Sequence, residues 1–313
     1  MTGTVPAGPV NSGVVGRYAD DLIAVHDRIS LRDIAARAEP GSVLHLARRP
    51  DGLVVLAVRG AGLPPRYQLA IRGFRLAQYL RLNFASQDIA HRRALFAEPV
   101  AGPVDELHVL ALDRAGTIQR YLALVGPLDP APMALRDPGR ARFPCEQVHR
   151  VNLFDHVAVD PTVDSWGVRE VKRLVARPEP AGARPVSLAG RARLTLELAL
   201  GFYTALSRLE RPLRVLVGEG EERVAIIRLL RSLPEITVVE GTTPGVPGDD
   251  LLHPRYAVAA REPVKPFVAP VPVGAELERV IADLRRALHS PHPLLGFRDL
   301  VRDVGGQLRR VRI

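Results

Sequence analysis

The sequence has a single cysteine, Cys145, which excludes an intrachain disulfide framework and any paired-cysteine metal site. It has only two lysines, Lys172 and Lys265, among 43 basic residues, so nearly all positive charge is guanidinium. Aromatic residues are 5% of the chain, so its core has to be built from Leu, Val, Ile and Ala. No apolar run has the length of a membrane span: residues 194–206 are too few and contain Glu197. No secretory leader pattern is read either, and the expectation is a cytoplasmic protein without a membrane span. The nine histidines form no ligand constellation; the closest pair, His289-Ser-Pro-His292, stands in a proline-rich turn, and no metal site is expected.

What is present is a chain of 313 residues, 47% hydrophobic, long enough to bury a sizeable core, with a formal charge of +9. Arginine binds carboxylate and phosphate through a planar fork, so an anionic partner fits this charge. A coding bias that exchanges lysine for arginine fits it equally, and charge alone does not establish nucleic-acid binding. Cys145 lies near His149 and His156, but no spacing rule links them as a nucleophile pair, and it reads as a packed or loop cysteine.

The periodicity predicts helices over residues 18–29 and 31–38, with Ser30 and Asp33 as a capping box, then a hairpin of strands 43–46 and 53–58. A helix follows over 66–82, carrying Leu69, Gly73, Leu76 and Leu80 on one face with Arg66, Arg72, Arg75 and Arg81 interspersed, and a shorter one over 87–96. The clearest hairpin joins strands 106–113 and 117–125 through Arg114-Ala-Gly116. Strands are expected over 148–159 and 168–175, a strongly apolar helix over 191–209, and a short strand over 214–217. After these come a helix over 221–233, strands over 236–239 and 256–260, a helix over 276–288, and a basic helix or tail over 297–313.

Three fragments carry more than element order. Arg81-Leu-Asn-Phe84 closes the 66–82 helix; Asp105-Glu106 opens a strand that ends in Asp113-Arg-Ala-Gly116; and Glu170-Val-Lys-Arg173 lies in the charged strand that begins at Val168. Order and fragments together resemble the GNAT acyltransferases, and among them the acyl-homoserine-lactone-synthase-like branch. The resemblance spans roughly residues 43–260 and implies an α/β fold: a GNAT-like central mixed sheet flanked by helices, with an N-terminal helical extension and a C-terminal helical tail. The corresponding division is a flexible tail over 1–16, a GNAT-like domain with its helical extension over 17–265, and C-terminal helices with a basic tail over 266–313. The chain departs from that branch at Ala123, where the family has an Arg-Leu pair, and it lacks the family's aromatic pocket. Ser187-Leu-Ala-Gly190-Arg191-Ala-Arg193 stands where the generic phosphate loop would be.

The activity this implies is acyl transfer from an acyl-CoA or acyl-carrier-protein thioester to a small amine. Glu170 is the candidate general base and Arg173 its partner or the holder of an acceptor carboxylate. Arg81, Phe84, Asp105 and Glu106 are candidate substrate-binding residues, and Gly190, Arg191 and Arg193 would hold donor phosphates at a helix start. Strict alternation puts Glu170 and Arg173 on opposite faces of a strand. A bulge or irregular pairing is therefore expected between Gly167 and Arg173, splaying this strand from 214–217. The alternative is a non-catalytic GNAT-like scaffold or a nucleic-acid-binding protein using the arginine-rich 66–81 helix and the tail Leu308-Arg-Arg-Val-Arg-Ile313.

Overall fold

Strand-forming Val, Leu and Ile segments recur along the chain, and in the computed structural model they assemble into one mixed sheet. The structure describes residues 12–100, 105–126, 129–178, 186–220, 235–257, 264–292, 295–296 and 307–312, with the backbone alone at Ser12, Arg173, Glu235, Tyr256, Ala257 and 307–312. The strands are Val43–Arg48 (β1), Val54–Arg59 (β2), Glu106–Leu112 (β3), Ile118–Val125 (β4), Val168–Ala176 (β5), Val215–Gly220 (β6), Glu235–Glu240 (β7), Lys265–Pro270 (β8) and Gln307–Arg312 (β9). Their order in the sheet is β1-β2-β3-β4-β5-β6-β8-β7-β9. Pairing is antiparallel except at β5–β6 and β7–β9, which are parallel.

The helices are Ser12–Asp27 (α1), Ile34–Arg37 (α2), Pro65–Arg81 (α3), Gln87–Arg92 (α4), Pro144–His149 (α5), Leu188–Leu206 (α6), His253–Ala257 (α7) and Ala275–His289 (α8). β2, two helices, antiparallel β3-β4-β5, α6 and then β6 parallel to β5 give the expected central mixed sheet flanked by helices. One face packs on α6 and α8 through Val55, Val109, Leu122, Leu124 and Val171. The opposite face packs on α1, α3 and α4 through Leu56, Val58, Leu110, Tyr121 and Val175. Farther along that second face, the segment around α5 covers Val168, Val215 and Val217 with Phe143, Leu153 and Phe154. Gly73, mid-helix in α3, is required by the crossing of α1: a Cβ there would lie 1.9 Å from the His26 ring.

The architecture departs from the sequence pattern at definite places. Residues 148–159 do not form a strand. The Glu146 carboxylate accepts from the N–H groups of Phe143 (2.9 Å) and Leu153 (3.0 Å), which holds a compact turn in place of ladder pairing. Ser30 does not cap a helix; its hydroxyl donates to the Ala115 carbonyl at 2.5 Å, pinning this loop to the β3–β4 turn. The N-terminal helix starts at Ser12, ahead of the expected 18. Residues 253–257 form α7 where the pattern suggests a strand from 256, and β8 is unannounced because Pro266 and Pro270 lie within it. Those prolines sit opposite Glu219 and Val215 in its pairing with β6, which ends at Lys265 opposite Gly220, and β7 pairs only with Phe267 and Val268 between them. Residues 307–312, expected to be a basic helix or tail, add β9 along β7. The expected helix 221–233 lies outside the described residues.

Candidate active site

The charged strand β5 positions the site by a change of pairing halfway along. Val168, Arg169, Glu170 and Val171 pair in regular parallel register with Val215, Leu216, Val217 and Gly218. Beyond Val171, β5 has no partner in β6 and continues against β4 alone, where Tyr121 faces Val175 but Ala123 faces Lys172. Three residues on β5 thus match two on β4, a bulge at Arg173–Leu174. The expected splay of this strand from 214–217 does not occur: Val168 to Glu170 pair in register with Val215 to Val217, and the irregularity lies at Arg173–Leu174 on the β4 side. With the bulge, Val168 and Val175 pack on the second face and Val171 on the α6 face.

Glu170 shares the second face with Val168 and is fully buried beneath α5. Its Oε2 accepts from the Cys145 N–H at 3.1 Å, and its Oε1 lies 3.4 Å from Lys172 Nζ. Burial pushes the Glu170 carboxyl above its ordinary value, the Lys172 ammonium pulls it back, and the nearby Glu219 carboxylate raises it further. Glu219, on the same face of β6, is held by His149 Nε2 at 3.2 Å and Arg255 Nη1 at 3.1 Å. His149 Nδ1 in turn meets the Thr242 hydroxyl at 2.9 Å. Cys145 presents its backbone, not its thiol, to this cluster. Burial and the carboxylates of Glu170 and Glu219 raise the thiol far above its ordinary range, so it is no nucleophile at neutral pH.

A second buried polar network lies on the same face. Arg75 of α3 is 2% exposed; its Nε donates to Glu98 at 2.5 Å and its Nη1 reaches both Glu106 oxygens at 3.0 Å. The same Nη1 donates to the Tyr121 hydroxyl at 3.3 Å, and that hydroxyl is 2.9 Å from His108 Nδ1. Arg75 can only donate, so the Tyr121 proton points to His108, which accepts on Nδ1 and carries its own proton on Nε2. Burial accordingly lowers the His108 pKa to about 4. Strand register ties the two networks together: Glu106 faces Val125, Val125 faces Glu170, and Glu170 faces Val217. Two strand spacings, roughly 10 Å, separate the Glu106 and Glu170 backbones.

No protein-family model matches the sequence, and no curated protein matches it. A solved structure described as a CoA-dependent acyl-homoserine lactone synthase, MesI, is 19% identical, with the match covering 69% of this chain and 88% of that one. Its TM-score is 0.33, a likeness that carries no argument about the reaction.

The remaining sequence candidates scatter. Arg81 is 2.7 Å from Asp27 and bonds Gln78, so it fastens the end of α3 to α1; Phe84 packs beside Tyr79 in the helical layer. Asp105 pairs with Arg169 at 2.7 Å across the end of β4. At the start of α6, the Ser187 hydroxyl already takes the Gly190 N–H at 3.1 Å, and Arg193 pairs with Asp51 at 2.9 Å, leaving Arg191 exposed. Of Arg173 only the backbone is described, at the bulge. Glu170 and Glu106 are the candidates whose strands share one face. As site residues the sequence reading does not single out Glu98, Tyr121 or Glu219, and it has Arg75 only in an arginine-rich helix and His149 only as a neighbour of Cys145; Lys172, one of two lysines, stands in plain view inside the charged strand. Among the described residues, no group of three or more His, Cys, Asp or Glu side chains could hold a metal ion. Among them also, no helix is long and apolar enough to cross a membrane.

Proposed function

We propose that this chain transfers an acyl group from a CoA or carrier-protein thioester to a small amine. The observation that carries the reading is the position of Glu170: a buried carboxylate of raised proton affinity one residue before parallel β5 and β6 stop pairing. The neutral amine nitrogen attacks the thioester carbonyl, the C–N bond forms, the C–S bond breaks, and the sulfur leaves as a thiolate that takes its proton from solvent. Glu170 takes the proton the amine must lose, directly or through one water, a contribution of roughly 10²–10⁴-fold. Lys172, whose ammonium reaches Glu170, steadies the carboxylate before transfer. Arg75 fixes Glu106 two strands away, where it would receive the incoming ammonium. Arg191, exposed at the start of α6, would meet the donor phosphates.

The nucleic-acid reading loses part of its support. Arg75 is buried, Arg72 bonds the Gln68 carbonyl within its own helix, Arg66 folds over Tyr67, and Arg81 is tied to Asp27, so α3 presents no free arginine stripe. The test is release of free thiol from a panel of acyl-CoA and acyl-carrier-protein donors with a pool of small amines. Release that needs both thioester and amine is the expected result. A flat signal across the whole panel would remove the reading.

A further inference from the structure

Strand alternation sends Arg169 away from the face that carries Glu170. It meets Asp105 at the sheet edge where β4 has ended: a Cβ on Gly126 would lie 2.5 Å from Asp105 Oδ2 and 2.7 Å from Arg169 Nη1, so the ion pair occupies the space of a missing side chain. A cavity of about 310 Å³ opens there, between the end of β2 at Arg59, the starts of β3 and β5, and the turn after α6. That size lies at the lower end for small-molecule pockets, about 300–1,000 Å³.

Its wall carries both signs of charge at close quarters. Arg59 pairs with Glu210 at 3.0 Å, and Asp105 and Glu210 are 46% and 84% exposed, so both carboxylates keep free lone pairs. Arg211 stacks over Trp166 at 4.3 Å and makes no ion pair with a described residue, and the Trp166 indole N–H is fixed on the Asp129 carbonyl at 3.1 Å. A purely anionic guest would meet Asp105 and Glu210; a purely cationic one would meet Arg59 and Arg211. A guest with an ammonium and a carboxylate a few bonds apart satisfies both walls, and the aromatic floor accepts its carbon skeleton.

We infer that this cavity is a binding site for a small zwitterion of the α-amino acid class, separate from the Glu170 side of the sheet. Its carboxylate is received by Arg211 beside Arg59, and its ammonium by Asp105 and Glu210. The site requires no thioester and stands independently of the acyl-transfer reading.

The test is ligand-observed saturation-transfer NMR on the intact chain with each of the common α-amino acids. At least one is expected to bind saturably, with its N-acetyl and carboxamide forms weaker by about tenfold or more, as loss of one charged hydrogen bond implies. Arg211→Ala and Asp105→Asn are each expected to weaken it by about tenfold, whereas Glu170→Gln, on the other face, leaves it unchanged. Arg211 is exposed, so its variant is expected to fold. Absence of binding by every amino acid, equal binding of the blocked forms, or binding that survives both wall variants overturns the inference. Thiol release, measured separately, reports on the other site alone.

Discussion

Glu106 and Glu170 occupy one row of the sheet, on the same face, with Val125 between them. One is neutralised by Arg75 and the other only partly by Lys172. Burial beneath α5 raises the proton affinity of Glu170, as suits a general base.

Glu170→Gln is expected to keep the fold and lower turnover by at least ~10²-fold. Because the carboxyl is raised, the acidic limb of the wild-type rate profile should lie above the ordinary carboxylate range and vanish in the variant. Thiol-release rates from pH 4 to 9 check both, and an unchanged profile would take Glu170 out of the mechanism.

Arg75→Met removes a cation that both Glu98 and Glu106 pair with in the core. Stranding buried carboxylates costs about 3–5 kcal/mol, read as a lower urea midpoint. Arg75→Lys keeps the charge but cannot span Glu98, Glu106 and Tyr121 at once, so it should recover only part of the loss. Full recovery by lysine would contradict the role given to the fork.

Gly73→Ala drives a methyl into the His26 ring and should cost about 1–3 kcal/mol by forcing α1 off α3. His26→Ala opens the space, so the double variant should show coupling in a double-mutant cycle. Strict additivity would mean that the crossing tolerates the methyl.

His108 is held neutral, with its pKa lowered from 6.5 to about 4. The unfolded chain binds the proton more readily across that window, so stability is fully present above pH 6.5 and falls as pH drops toward 4, by on the order of 2–3 kcal/mol. His45 is depressed to about 4 as well and adds its own share. The difference in slope between wild type and His108→Gln, from urea melts at several pH values, isolates His108. Equal slopes would refute the assignment.

Much of the fold was legible locally. The β3–β4 hairpin follows from alternating apolar residues and a turn that closes on Gly116 at φ 83°, with the Asp113 carboxylate taking the N–H groups of Ala115 and Thr117. The α6 helix, apolar nearly all round, is buried along most of its length, and Glu170 is mid-strand as its neighbours implied. The site of the bulge was not legible: β5 is buried on both faces, so its valines set no register, and the irregularity lies at Arg173–Leu174 against β4 and leaves the pairing with β6 intact.

The sequence by itself determined which segments could bury a face, since periodicity records exposure residue by residue. Only the tertiary structure decided which charges those faces bring together. Arg75 meets partners 23, 31 and 46 positions away, Glu170 is capped by a backbone N–H 25 positions back, and β9 finds β7 by parallel pairing. A buried charge needs a partner, but its own surroundings in sequence do not say which; that depends on the order in which strands lie side by side.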